Sequence, residues 1–227
     1  PTRRSSDLVK CLNENYNAAI IGTRLPSQRG KLISKKLGSI FALKGFVVVS
    51  GLALGCDTYG HLGSLEKGGN NIAVLACGLN NIYPRQNIKL SDKIIANGGC
   101  LISEYPPNIN VKPQFFILRD RLESGLSSIV TIIETNINGG TMHTAKFALN
   151  QDKILVCVSP SLLGGVSGSN KGNSQLIENK MAIELINFQN LEELIEEILS
   201  NCLKPIFKTK MKEQLRYEQR SEEHTSE

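Results

Sequence analysis

Short apolar runs alternate with amphipathic stretches along most of this chain. Tyr16–Ile21, Phe46–Ser50, Ile72–Cys77, Ile129–Ile133 and Ile154–Val158 are near-continuous in apolar residues, and a shorter run falls at Cys100–Ser103. Runs of this length without polar alternation predict strands buried on both faces. Helical spacing fills the intervals. It runs from about Gln28 to Leu43, with Leu32, Ile33, Leu37, Ile40 and Phe41 on one face, and through Tyr59, Leu62 and Leu65 to about Lys67. It returns from Gln86 to Ala96, from Thr141 to about Asn150, and as an acidic amphipathic helix over Leu191–Leu199. Pro106-Pro107 to Pro113 and the Gly/Ser/Asn-rich Gly164–Asn173 read as loops. Strands alternating with helices predict an α/β domain: a mostly parallel, doubly wound sheet with helices on both faces, whose ligands sit at the carboxyl ends of the strands. The pattern leaves strand order open.

The organising stretch is Phe46 to Asp57, where a β-branched strand breaks at Gly51 and Gly55 and meets a helix that Asp57 is placed to cap. Glycine admits a ligand close to the main chain, and a helix N-terminus carries free N–H groups and partial positive charge. The turn therefore reads as an anion cradle, or as a tight βα turn with no ligand; its spacing is not the dinucleotide fingerprint. Gly22-Thr23-Arg24 and Gly139-Gly140-Thr141 end other predicted strands. In a parallel sheet all three turns lie on one edge, where Arg24 and the Thr141 hydroxyl would add to a site for several negative charges. Lys112-Pro113-Gln114-Phe115-Phe116-Ile117-Leu118-Arg119-Asp120-Arg121 mixes cations with adjacent aromatics, which suits phosphates and bases. The alternative places both phenylalanines in the core and the arginines on a solvated helix start.

Composition narrows the partners. A net charge of +5 permits nucleic acid without demanding it. Both ends, 1–8 and 220–227, resemble translated sequencing-adapter DNA; without their three basic and four acidic residues the charge is +6. The natural segment is expected to comprise a domain over 9–203 and a basic linker or truncated region over 204–219. Six cysteines (Cys11, Cys56, Cys77, Cys100, Cys157, Cys202) are scattered without a C-x-x-C pair, as in a reducing cytoplasm. No apolar stretch approaches the ~18 residues of a membrane span, and no metal spacing or catalytic triad is assembled. His61, four residues after Asp57, is placed to pair with it, His143 lies beside the Gly139 turn, and Glu134 could serve as a base or a helix cap.

Several motifs occur in an order that is similar to the DNA processing protein A (DprA, or Smf) family. They are Ser50-Gly51-Leu52-Ala53 with Gly55, Asp57 and His61; Ile72–Leu75 with Gly78-Leu79 and Tyr83-Pro84; Ser103-Glu104; Gly125-Leu126-Ser127; Gly140–Ala145; and Leu176-Ile177. The resemblance spans roughly Ala18 to Ile183. It implies an extended Rossmann-like domain without catalytic activity or cofactor, which binds single-stranded DNA, forms a homodimer and loads the recombinase RecA during natural transformation. Carried over position by position, it implies DNA or phosphate contacts at Arg24, Ser50, Gly51, Gly55, Phe116, Arg119 and Arg121. Lys112 neighbours them, and the Gly139, Gly140 and Thr141 turn completes the expected set. The chain departs from the family at Leu54, Cys56, Asp120, Val158-Ser159-Pro160 and Asn173-Ser174. Asp120 either lowers DNA affinity or pairs internally with an arginine. Two other readings use the same crevice. Gly139-Gly140-Thr141 is similar to part of the glycine turn of the LOG-type nucleoside-monophosphate phosphoribohydrolases, whose fuller pattern is missing here. A nucleotide-sensing module is the other.

Overall fold

The computed structural model describes residues 16–201. Seven strands pair in parallel in one sheet: β1 (Asn17–Ile21), β2 (Val47–Ser50), β3 (Asn71–Val74), β4 (Cys100–Ile102), β5 (Ile129–Ile132), β6 (Ile154–Val158) and β7 (Ile183–Leu185). Their order is β4-β3-β2-β1-β5-β6-β7. The chain builds outward from β1 to β4, then crosses back and continues outward from β5. The β1/β5 junction is therefore the topological switch point. Register is continuous across it, with Ala19 opposite both Val49 and Val130.

Helices connect successive strands: α1 (Gln28–Leu43), α2 (Cys56–Leu65), α3 (Ile88–Ala96), α4 (Pro113–Gly125), α5 (Thr141–Asn150) and α6 (Lys171–Glu178). Strand alternation sends Ala19, Ile21, Val49, Val74 and Val130 to one face, which α5, α6 and Leu122 of α4 cover. Ala73 on the other face packs with Leu90 and Ile94 of α3. The predicted doubly wound α/β architecture is the observed one. Asn173 of α6 fastens the spread ends of β5 and β6: its Nδ2 donates to Ile133 O and Val158 O, and its Oδ1 accepts from Thr135 N.

Several boundaries differ from expectation. α6 begins inside the stretch read as a loop up to Asn173, and β7 has no counterpart in the apolar pattern. Leu32, placed on the inner face of α1, is exposed, while Ile33, Leu37, Ile40 and Phe41 are buried. α2 starts at Cys56 with Gly55 at its N-cap, so Asp57 lies within the first turn instead of capping it. Residues 187–201 belong to a second unit, which holds α7 (Phe188–Asn201), with Leu191, Leu194, Ile195 and Ile198 at helical spacing. The expectations for 1–8, 204–219 and 220–227, and for Cys11 and Cys202, lie outside the described residues.

Candidate nucleic-acid interface

A cleft opens at the carboxyl ends of β1, β2 and β3. The loop after β1 supplies Arg24; the loop after β2 supplies Gly51, Ala53 and Leu54; the loop after β3 supplies Ala76, Cys77, Tyr83 and Pro84; and α4 supplies Phe116. The Arg24 guanidinium carbon stands 4.6 Å above the centre of the Phe116 ring. Tyr83 meets the same ring at 5.8 Å, tilted by 60°. Arg24 and Tyr83 are exposed and Phe116 is half-buried. A half-buried aromatic with an exposed cation on its face offers a stacking surface beside a phosphate-pairing charge.

The glycine turn is a nest of amides with its own occupant. Leu52 and Gly55 have positive φ angles of 58° and 84°, which gathers N–H groups inward. Asp57 Oδ2 accepts from Gly51 N at 3.0 Å and Ala53 N at 3.2 Å. The predicted anion cradle exists, but an internal carboxylate fills it. Asn87 Nδ2 donates to Leu52 O, and Thr58 Oγ1 donates to Ala53 O, so the turn is fastened from outside as well. A Cβ at Gly55 would strike Thr23 O and Arg24 C, so this glycine lets the β2 turn press against the loop that carries Arg24.

Two residues expected on the DNA surface are buried instead. Ser50 is fully buried and its hydroxyl donates to Ile20 O at 2.6 Å, tying β2 to β1. Arg119 is only 6% exposed. Its Nη1 donates to Val74 O at 2.6 Å and lies 3.5 Å from Glu123 Oε1, and its Nε donates to Asp120 Oδ1 at 3.3 Å. Of the two roles open to Asp120, the internal pairing is the observed one. A Cβ at Gly51 would overlap the Arg119 guanidinium, which props the turn from beneath. Burial alone would lower the Arg119 pKa, but Glu123, Asp120 and Asp57 outweigh it and hold the guanidinium charged. Burial pushes the Glu123 carboxyl well above the usual carboxylate range against the pull of Arg119, and raises Asp120 likewise.

Arg121 remains at the surface, where Nη2 donates to both oxygens of Glu104 at 2.5 Å. Lys112 is exposed, with Nζ 5.6 Å from the centre of the Phe115 ring. The third turn stands apart: Gly139 neighbours Thr135 and Asn136, Gly140 faces open space, and Thr141 begins α5. None of these three lines the cleft. The structure thus brings Arg24, Gly51 and Phe116 to one cleft, with Gly55 pressed against the Arg24 loop. Lys112 is the N-cap residue of α4, and the Gly139 turn lies on the far side of β1.

One further expectation is revised, for His61, and the places of His143 and Glu134 are given by their contacts. His61 pairs with Asn71, Nδ1 to Oδ1 at 2.9 Å, rather than with Asp57, and burial lowers its pKa. His143 is exposed on α5. Glu134 acts as a cap: Oε2 accepts from Ser27 N at 2.9 Å at the start of α1, and Oε1 accepts from Ser169 Oγ at 2.5 Å. Its carboxylate therefore sits at the β1/β5 switch point, where a mononucleotide phosphate would otherwise bind. Cys56, Cys77, Cys100 and Cys157 are buried and form no disulfide, and burial raises the pKa of Cys56 and Cys157. Among the described residues, no helix is long and apolar enough to cross a membrane.

The model of the family described as DNA recombination-mediator protein A matches residues 9–198. The chain belongs to this family. DNA processing protein DprA of Bacillus subtilis is 36% identical over 157 residues, 69% of this chain and 52% of that protein. Protein Smf of Synechocystis is 38% identical over 145 residues, 63% of this chain and 36% of the relative. The chain thus spans about half or less of the length of these DprA/Smf relatives. Among solved structures, DNA processing protein A from Helicobacter pylori, studied for its single-stranded DNA binding mode, superposes with a TM-score of 0.75 at 31% identity. That match covers 85% of this chain and 84% of the other. The Streptococcus pneumoniae DprA structure gives 0.73 at 28% identity, over 82% and 63%. A molybdenum cofactor binding protein from Rippkaea orientalis shares the fold at 18% identity with a TM-score of 0.57. Tyr83, part of a DprA-like Tyr-Pro motif but not among the expected contacts, lines the cleft. Its signal was a lone aromatic in an otherwise Asn- and Pro-rich loop.

Proposed function

We propose that this chain binds single-stranded DNA across the cleft at the carboxyl ends of β1–β3, as a DNA-processing protein without catalytic activity of its own. The observation that carries the reading is the Arg24–Phe116–Tyr83 cluster. A cation–π contact at an exposed site is worth about 0.5–1 kcal/mol, less than the about 1–3 kcal/mol of a base stacked on an aromatic ring. An incoming base therefore takes the Phe116 face, and the displaced Arg24 pairs with the adjoining phosphate. Gly51 and Gly55 shape the cleft, while Ser50 and Arg119 hold its floor in place. Arg121 neutralises Glu104, and the Gly139, Gly140 and Thr141 turn is a more distant contact for a longer strand. The named binding mode of the Helicobacter relative supports the same ligand. RecA as the recipient of the strand, a homodimer as the working form and the cytoplasm as its location follow from family membership as parts of this proposal.

Fluorescence anisotropy with labelled single strands, repeated over a salt series, tests it. Arg24→Ala is expected to weaken binding alike across sequences and to reduce the slope of log affinity against log salt by about 0.7, the share of one phosphate contact. Unchanged affinity and slope would remove Arg24 from the site. A rise in RecA filament formation on protein-coated strands would support the partner, and no rise would reject it.

A further inference from the structure

Phe115, adjacent to Phe116, stands at the centre of a second group built on the same plan. The Tyr105 ring stacks on Phe115 at 4.0 Å between centres and 24° between planes. The exposed Lys112 ammonium lies 5.6 Å from the same ring centre. Phenylalanine, tyrosine and cation thus recur around consecutive residues of α4. Successive helix positions point about 100° apart, so one group faces the β1–β3 loops and the other faces the loop after β4. Both residues of the second group's ring pair, Tyr105 and Phe115, are half-buried rather than sealed in the core.

The support under this group is rigid. Tyr105 N donates to Ser103 Oγ at 3.0 Å, and Ser103 Oγ donates to Cys77 O at 2.7 Å. Gly78 N donates to Ile109 O at 2.8 Å, and Asn80 N donates to Pro107 O at 2.9 Å, binding the Tyr105 loop to the loop after β3. A platform fixed before the ligand arrives loses little entropy on binding. Its electrostatics also suit a nucleic acid. Glu104, the carboxylate beside Tyr105, is neutralised through both oxygens by Arg121, and α4 has no acidic residue in its first turn.

We infer that Tyr105, Phe115 and Lys112 form a second stacking station, which takes a further base of the same single strand as it passes around the start of α4. The inference rests on the single-strand reading above. As at Phe116, the base displaces the cation from the ring, and Lys112 moves to a phosphate. Arg121 is a positioning residue here, since it holds Glu104 without touching the strand.

The test compares the full chain with Phe115→Leu and Phe115→Tyr, using a labelled mixed-sequence single strand and an abasic strand of equal length. Phe115→Leu retains apolar bulk without a π face, and thermal melting verifies that it is folded. It is expected to weaken binding of the normal strand by roughly 5- to 150-fold and to leave binding of the abasic strand unchanged. Phe115→Tyr is expected to bind both as the parent does. Equal affinity of Phe115→Leu and the parent for the normal strand would overturn the second station, as would an equal loss on both strands. Phe116→Leu, read alongside, separates the two proposals. Loss there without loss at Phe115 keeps the first station and removes the second, whereas a parent protein that binds no single strand at low salt removes both.

Discussion

A guanidinium among carboxylates can serve a ligand or the fold, and its burial decides between them. Arg24 lies exposed over a ring, while Arg119 is sealed beneath Gly51 with Asp57, Asp120 and Glu123 around it. Removing one partner of a buried ion pair costs about 3–5 kcal/mol, because the remaining charges stay buried and uncompensated. Arg119→Ala is therefore expected to lower the urea midpoint by a loss of that size, whether or not DNA is present. A variant as stable as the parent that had lost only DNA affinity would return Arg119 to the binding surface. Residue type could not separate the two arginines. Both are five-donor cations within DprA-like motifs, and only the third dimension puts Arg119 within 2.6 Å of Val74 O.

At the scale of elements, α4 explains why its segment was hard to read. Its buried positions are Arg119, Asp120, Glu123 and Ser124, while Ile117 and Leu118 are 42% and 49% exposed. This inverts the usual relation between polarity and burial, so the periodicity that located α1 had nothing to register in α4. The buried polar face is held by Val74 O, which accepts from Arg119, and by the Gly51 turn, which closes over the same guanidinium. The β2–α2 turn shows the complementary case. Its strand, glycines and helix were legible from local pattern, but the occupant of its amides was not. Gly55→Ala tests the element directly. With φ at 84° and a Cβ driven into Thr23 and Arg24, the variant is expected to lose about 1–3 kcal/mol. Single-strand affinity should fall with it as the Arg24 loop is pushed aside. Full affinity in the folded variant would show that the position of Arg24 does not depend on this contact.

For the molecule as a whole, the sheet order puts β1 between β2 and β5, so the carboxyl edge has two sides. On one side the cleft is open. On the other, Glu134 joins β5, the start of α1 and the loop before α6 through Ser27 N and Ser169 Oγ. Glu134→Ala leaves the Ser27 amide without its acceptor and frees that loop. The expected cost is about 1–3 kcal/mol, with faster amide exchange at Ser27 and over residues 165–170. Exchange unchanged at both would show that the carboxylate is not the joint. Apart from α4, the start of α6 and β7, element types and their sequence were determined by the chain itself, because helix and strand periods are set by neighbours a few positions apart. The DprA/Smf relationship was readable for a similar reason, as its motifs are local strings in a set order. Tertiary structure alone decided strand order and which charges were free. Those depend on partners far along the chain: Asp57 meets Gly51 across 6 positions, Glu104 meets Arg121 across 17, Val74 meets Arg119 across 45 and Ser27 meets Glu134 across 107.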